Sequence, residues 1–523
     1  MTEINVQQLL QELPAQVSHV IKPWLESRPN HPALADVEGR WSYRELANAI
    51  DETRVWLERQ GLRPGDRLML VCENCRAFVV IFFAATELGA WPVLANARLS
   101  AREIDTVRDH CGARFLIYTT AVSPHAQEHA ARHGAQFARA GALGDIAIGA
   151  LNQKATPEPI EEAQQQRVAA LIYTSGTTGQ PKGVMLSHRN LLYIAAVSAK
   201  IRNLNPEDRL YGVLPMSHAV GLSVVLLGSL LSGSTLYLAP RFDPMTARKV
   251  LEEERITILL GVPSMFGQFL QYAKLIKLQT LRFPALRIIS SSGAPLDLPT
   301  KQATEALFGL PLHNGYGITE CSPTIAQTRV EAPLSTTSIG QLLPGVEAKF
   351  LGADNQEVQA GEIGELHVRG PNIMKGYYRA PEATAAAIDA DGWFNSRDLA
   401  RLEDGNLFIV GRTKDLIVRS GFNVYPVEVE AVLNAHTSVA RSAVIGRAVQ
   451  GDEEVLAFVQ LIPGLAITAA ELMEYAAGRL ATYKRPSRIF LVESLPLTPT
   501  GKVAKTELTK LIAENQSAAM ALQ

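Results

Sequence analysis

Tyr173-Thr174-Ser175-Gly176-Thr177-Thr178-Gly179-Gln180-Pro181-Lys182-Gly183 packs three glycines, four serine or threonine hydroxyls and a lysine into eleven residues. An apolar core has little use for such a string. An apolar run, Val168-Ala169-Ala170-Leu171-Ile172-Tyr173, leads into it and reads as a buried strand, while Asn190-Leu191-Leu192-Tyr193-Ile194 and the residues after it read as helix. A glycine-rich turn at a strand end exposes backbone N–H groups and lets an anion approach with no Cβ in the way. The hydroxyls and Lys182 would then hold the oxygens of a polyphosphate. The Walker loop is excluded, because it needs Gly, four residues, then Gly-Lys-Ser/Thr. Five residues after Gly176 stands Pro181, and five after Gly179 stands Val184. A plain surface turn would suffice for a shorter string, but not for one this long and ordered.

Working outward, 523 residues amount to roughly three domains of about 150 residues each. Fifty Lys plus Arg against 52 Asp plus Glu give a net charge of −2, without the basic excess of a nucleic-acid surface. The segment Met1 to Gln16 has no basic patch or long apolar block, so no secretory signal is expected. Ala77-Phe78-Val79-Val80-Ile81-Phe82-Phe83-Ala84-Ala85 falls well short of the roughly 20 residues of a membrane helix and reads as a buried one. Four cysteines imply no disulfide framework, which fits a reducing cytoplasm. Cys72 and Cys75 have CxxC spacing without a second pair, and the preceding Leu68-Met69-Leu70-Val71 suggests a strand end instead of a zinc or redox site. His125, His129 and His133 share one helical stripe, but their Ala, Gln, Glu and Arg neighbours read as a solvated helix face rather than a metal site. Residues 152–166 are polar and proline-containing, a surface connection feeding the strand before the glycine-rich loop.

Beyond that loop, short strands are expected at 210–214, 234–238, 256–260 and 287–290, with helices at 244–254 and 299–307 between them. That alternation predicts an α/β layered domain whose chemistry sits just past the strand ends. There the chain carries Pro215-Met216-Ser217-His218-Ala219-Val220-Gly221-Leu222 and Ser291-Ser292-Gly293-Ala294-Pro295. Next comes Asn314-Gly315-Tyr316-Gly317-Ile318-Thr319-Glu320. Its glycines free the backbone around a ring that could stack a nucleobase, and its last two residues offer oxygens to a hard cation. Trp393-Phe394-Asn395-Ser396-Arg397-Asp398, Gly411-Arg412-Thr413-Lys414-Asp415, Gly421-Phe422-Asn423-Val424-Tyr425-Pro426 and Pro496-Leu497-Thr498-Pro499-Thr500-Gly501-Lys502 complete the set.

Together these motifs, spread over 32–502, resemble the adenylate-forming superfamily that includes acyl-CoA synthetases, firefly luciferase and the adenylation domains of peptide synthetases. The resemblance implies a large multi-layered α/β nucleotide-binding domain over 1–410, a hinge over 411–415 around Lys414, and a small α+β mobile lid over 416–523. It implies ATP binding by Thr174, Ser175, Gly176, Thr177, Thr178, Gly179 and Lys182, by the Gly293-Ala294-Pro295 turn, and by Gly315 and Gly317. Tyr316 is assigned to adenine stacking, Asn314 to the adenine edge, and Thr319 to the α-phosphate. Mg²⁺ falls to Glu320 with Thr174. Asp398 and Arg412 are assigned to ribose. Where the family often has Thr-Gly-Asp this chain has Ser396-Arg397-Asp398, and the aspartate is kept. Lys502 matches the catalytic lysine, with Thr319, Glu320 and His218 beside it. His218, Gly421 and Phe422 are implied along the thiol tunnel.

The resemblance further implies two half-reactions. A carboxylate attacks the α-phosphate of ATP to give acyl-adenylate and pyrophosphate, and a thiol then displaces AMP. Amino-acid-activating relatives place an aspartate early in the segment that here reads Ser217-His218-Ala219-Val220-Gly221, and none stands there. The pocket candidates His218, Ala219, Val220, Gly293, Gly315, Pro323 and Thr324 suit an uncharged aryl or alkyl chain. Only a short helix and an Ala-rich tail are expected after Lys502, which favours CoA over a carrier domain as the thiol. The expected activity is that of a cytoplasmic carboxylic acid–CoA ligase for an aromatic or medium-chain aliphatic acid. Monomer and homodimer are both compatible with it. The alternatives are an enzyme loading a separate carrier protein, a luciferase-like oxygenase, and an inactive binding protein. The last is disfavoured because Lys502, Glu320 and Asp398 are all present.

Overall fold

In a computed structural model, residues 4–174, 181–420, 422–449, 452–497 and 503–520 are described, with side chains up to 512. Two large mixed sheets organise residues up to about 342. The centre of the eight-stranded sheet is four parallel strands, Phe115–Tyr118, Arg67–Cys72, Trp91–Asn96 and Val168–Thr174. Their uninterrupted apolar sequence results from burial on both faces. Leu68 and Leu70 join the cluster shared with the other sheet, while Met69 and Val71 join a second cluster under the helices Ala101–Cys111 and Pro124–Arg132. The nine-stranded sheet has six parallel strands, in the order Leu312–Gly317, Ile288–Ser292, Ile258–Gly261, Arg209–Gly212, Thr235–Leu238 and Pro32–Asp36. The strands expected between 168 and 290 are all present, with their ends shifted by at most two residues.

The helices Tyr43–Arg59, Arg76–Glu87 and His188–Ile201 share one apolar cluster with both sheets. Ala77 to Ala85 are all buried, as their composition requires. Where the sheets meet, Asn74 does the joining. It comes just after the strand Arg67–Cys72, is 3% exposed, and donates from Nδ2 to the carbonyls of Gly212 (3.0 Å), Leu214 (2.9 Å) and Ala239 (3.3 Å). Its Oδ1 accepts the N–H of Met216 at 2.8 Å.

Three expectations need correction. The glycine-rich string does not run from strand towards helix: a further strand, Lys182–Ser187, returns antiparallel to Val168–Thr174, with Lys182 opposite Thr174. The helix then starts at His188 behind a Ser187–Asn190 capping box. Lys182-Gly183-Val184-Met185 carries the β-branched and apolar content of a strand, but the glycine obscured its period. Secondly, two of the three stripe histidines are structural. His129 is buried and its Nε2–H donates to the carbonyls of Ala97 (3.1 Å) and Leu99 (3.0 Å). His133 lies between the Tyr118 hydroxyl and Asp105, which it reaches at 2.8 Å. Only His125 keeps a substantially accessible side chain. The Ala126 and Ala130 positions that looked neutral are the helix's contact face. Thirdly, residues 347–412 leave the α/β rhythm for a four-stranded antiparallel sheet, Glu347–Leu351, Gly364–Arg369, Phe394–Glu403 and Asn406–Arg412.

A separate apolar cluster begins at Ile417 and gathers the three-stranded sheet Val439–Val449, Asp452–Leu461 and Arg488–Val492 with the helices Pro426–Asn434 and Ala469–Ala477. Cys72 ends its strand as anticipated, and it and Cys75 are free thiols, as are Cys111 and Cys321. No group of three or more metal-ligating side chains is found among the described residues, and none of their helices is long and apolar enough to cross a membrane.

Removing the Asn74 side chain leaves three carbonyls and one N–H buried without it. Asn74→Ala is therefore expected to lower the unfolding free energy by roughly 3 kcal/mol, measured by urea unfolding. A loss within experimental error would refute its role as the join between sheets.

Candidate nucleotide and acid site

Three adjacent parallel strands of the nine-stranded sheet, Ile258–Gly261, Ile288–Ser292 and Leu312–Gly317, contribute their C-terminal halves to one cavity, at the edge where an α/β sheet exposes backbone not used by its neighbours. Its volume is about 420 Å³ including its open mouth, and Leu260, Ser290, Ser292, Gly293 and Gly315 to Gly317 line it. Across from them stand Val220 and Val224 of a π-helix, Val220–Leu227, together with Pro323 and Thr324. Five candidate pocket residues, Val220, Gly293, Gly315, Pro323 and Thr324, thus meet there. His218 and Ala219 lie in the turn before the π-helix, outside the lining. The π-helix is tied down by the Ser223 hydroxyl, 2.7 Å from the carbonyls of both Ala219 and Ser322. Gly293 takes φ +82°, so its turn needs a residue without a Cβ.

Tyr316 belongs to two environments. It lines the cavity, and its hydroxyl donates to Asp398 Oδ2. Burial, reinforced by the Asp398 carboxylate, pushes this phenol well above its ordinary range, which keeps the proton on the tyrosine. Asp398, 3% exposed in the strand Phe394–Glu403, also accepts from Arg412 Nε at 2.9 Å. Each carboxylate oxygen retains acceptor capacity for a further donor. Arg397 occupies the left-handed region at φ 59°, the conformation that explains the glycine in the resembled pattern. Its guanidinium approaches Glu365 (3.8 Å), so the added charge is matched away from Asp398.

Asn314 is buried with its amide turned to the carbonyl of Thr337 (3.1 Å), and its Oδ1 accepts from the N–H of Gly315 at 3.1 Å. It fixes the backbone under Gly315. Thr319 and Glu320 form a short 3-10 turn after the strand Leu312–Gly317. Glu320 Oε1 accepts from the Tyr377 hydroxyl at 2.9 Å, and the Lys182 ammonium stands 4.8 Å from the centre of the Tyr377 ring. Tyr377 thereby links the end of the glycine-rich hairpin to the acidic turn. The short strand Gly376–Tyr377 is held along Lys182–Ser187 with Tyr377 opposite Val184. Sequence reading missed Tyr377, whose one signal, a Gly-Tyr-Tyr string, is also ordinary turn chemistry. It also missed the cavity residues Arg202 and Gln327.

Among the remaining candidates, Ala294 and Pro295 continue the Gly293 turn after the strand Ile288–Ser292, and Lys414 is exposed in the turn Thr413–Asp415. Phe422 is exposed and stacked on Tyr483 with 4.7 Å between ring centres, a contact within the C-terminal part. Ser175, Gly176, Thr177, Thr178, Gly179, Gly421 and Lys502 lie outside the described residues. Thr174, the last residue of its strand, is half-buried at the hairpin's edge. Glu320 forms no ion pair among the described residues. A carboxylate that accepts one tyrosine hydroxyl and has no cationic partner among the described residues suits Mg²⁺, which is commonly held by one or two carboxylates plus substrate phosphates.

A family model described as "AMP-binding enzyme" matches residues 21–378, and one described as "AMP-binding enzyme C-terminal domain" matches 428–502. The chain is 34% identical over 473 residues to a feruloyl-CoA synthase of Amycolatopsis sp, covering 90% of this chain and 93% of that protein. It also superposes on two solved structures. ATP-bound MatB from Rhodopseudomonas palustris has a TM-score of 0.83 at 29% identity, covering 95% of this chain and 98% of the other. The o-succinylbenzoate CoA synthetase of Bacillus subtilis, in complex with its acyl-adenylate intermediate OSB-AMP, has a TM-score of 0.80 at 29% identity, covering 94% and 97%.

A Cβ on Gly317 would lie 1.9 Å from the carbonyl oxygen of Pro323. Gly317→Ala is expected to force the 318–323 turn away from the cavity and lower stability by roughly 2 kcal/mol or more; an unchanged thermal midpoint would show that the turn gives way freely.

Proposed function

The chain belongs to the AMP-binding enzyme family, and from that premise we propose that it is an AMP-forming carboxylate–CoA ligase acting on an aromatic or medium-chain aliphatic acid in the cytoplasm. The observation that supports this reading is the double role of Tyr316, which lines the cavity while its hydroxyl holds the carboxylate suited to a ribose. Acid and nucleotide are thereby brought to one residue.

In the first half-reaction the acid's carboxylate oxygen attacks the α-phosphorus of ATP. The bond from that phosphorus to the bridging oxygen breaks, and pyrophosphate leaves. Thr174 to Gly179 and Lys182 hold the polyphosphate oxygens, Thr319 meets the α-phosphate, and Asp398 with Arg412 takes the ribose hydroxyls. Glu320 and Thr174 would hold Mg²⁺, which supplies positive charge against the phosphate oxygens. Lys502 bridges carboxylate and phosphate oxygens, because fixed positive charge stabilises the transferring group. In the second half-reaction the CoA sulfur attacks the acyl carbon, the bond to the AMP oxygen breaks, and AMP departs. Rotation about Lys414 would exchange Lys502 for the face bearing Gly421 and Phe422, with His218 along the thiol's path.

Pyrophosphate and AMP release, measured with ATP and Mg²⁺ over benzoates, cinnamates and fatty acids, tests the reading. Turnover that requires CoA and one acid class is expected. Pyrophosphate release that CoA leaves unstimulated would point to a carrier thiol instead. Lys502→Ala is expected to reduce adenylate formation by about 100-fold or more while retaining thiolation of a supplied acyl-adenylate; equal loss of both steps would overturn the rotation.

A further inference from the structure

Arg202 caps the C-terminus of the helix His188–Ile201, is 8% exposed, and lines the acid cavity. Among the described residues it has no ion-pair partner, and its one hydrogen bond runs from Nη1 to the carbonyl of Ser198 at 3.3 Å. A guanidinium has five N–H donors, and the helix C-terminus offsets only part of its charge. Burial alone pulls its pKa down to about 10, with no carboxylate opposing the shift, so it remains cationic at neutral pH. Gln327, 2% exposed on the strand Thr324–Gln327, lines the same cavity. Neither its Oε1 nor its Nε2 has a hydrogen-bond partner among the described residues. Buried polar groups are ordinarily paired, and a buried cation ordinarily faces an anion. Two exceptions lining one cavity describe a recognition surface waiting for its acceptor.

These observations correct the expectation of an uncharged pocket. Val220, Val224 and Leu260 provide apolar wall for the body of the acid, but the same cavity ends on a cation and an amide. Resting on the ligase reading above, we propose that the acid is a dicarboxylate: one carboxylate is activated at the nucleotide, and the other is bound inside the cavity by Arg202 with Gln327. A neutral hydroxyl in that place would satisfy donors and leave the charge unmatched. A carboxylate satisfies both.

The test compares aromatic and short aliphatic dicarboxylates with neutral twins of equal length, each twin a monomethyl ester, a methyl-terminated acid or a hydroxyl-terminated acid. Two quantities are read on the wild-type enzyme: kcat/KM for AMP formation with CoA, and the shift in thermal midpoint in the presence of AMP. The expected result is a preference of roughly 30-fold or more for the best dicarboxylate, with a matching thermal shift. Arg202→Met is expected to collapse that ratio, Arg202→Lys to restore part of it, and Gln327→Leu to reduce it less. Neutral twins used and bound as well as dicarboxylates by the wild type would overturn the proposal, as would a ratio unchanged in Arg202→Met. If an Arg202 variant fails to fold, the wild-type ratio still decides. AMP release with no acid of either kind would instead refute the ligase reading, and the wild-type thermal shift would still judge this one.

Discussion

Two broad sheets can share one apolar interior only if the backbone groups at their strand ends find partners away from water. Asn74 meets that constraint with four hydrogen bonds, reaching from the end of one sheet to three carbonyls and one N–H at the end of the other. Its position has consequences downstream. Met216, which it holds, begins the turn through His218 into the π-helix Val220–Leu227, and that helix is one wall of the cavity. The same residue that joins the sheets therefore sets where the wall stands.

Around this join the site divides its work between rigid and adaptable parts. The strand ending at Ser292 is paired in parallel on both sides, the strand ending at Gly317 is paired in parallel on one side and antiparallel on the other, and the glycines there allow close approach. The four-stranded sheet contributes Asp398 and Arg412 from adjacent antiparallel strands, paired directly opposite each other. Tyr316 connects the two structures through its hydroxyl. Past Arg412 the chain enters the exposed turn at Lys414 and then a part with its own core. The two parts are thus joined through an exposed turn, where few buried contacts hold the chain.

The acid cavity illustrates a limit of reading residues by type. Its glycines, valine, proline and threonine were recognisable from the motifs in which they stand, and by composition they describe an apolar slot. Arg202 lies about ninety residues before Gly293 and more than a hundred before Gly315 in the chain. Basic residues near helix C-termini are common and usually solvated, so nothing local distinguishes this one. Gln327 looks equally ordinary at the end of a short strand. Only their shared burial around one cavity changes the chemistry from an uncharged slot to a cationic one.

By itself, the sequence determined the superfamily, the α/β character and the positions of the parallel strands, and it marked out the candidate nucleotide residues. Those features are written in contiguous strings: a glycine-rich run, apolar runs of strand length, and Asn-Gly-Tyr-Gly with Thr-Glu just beyond it. Each string owes its form to a local requirement, such as backbone freedom or a two-faced buried strand. The tertiary structure decided what depends on distant residues meeting. It drew two of the three histidines of a seemingly solvated stripe into hydrogen bonds with the rest of the fold, inserted the strand Lys182–Ser187, and set Tyr377 between Lys182 and Glu320. It also gave the acid cavity its charge. Periodicity and composition register which residues seek burial, but the partner that satisfies a buried polar group is chosen by packing, because hydrogen bonds and ion pairs form across space without regard to separation along the chain.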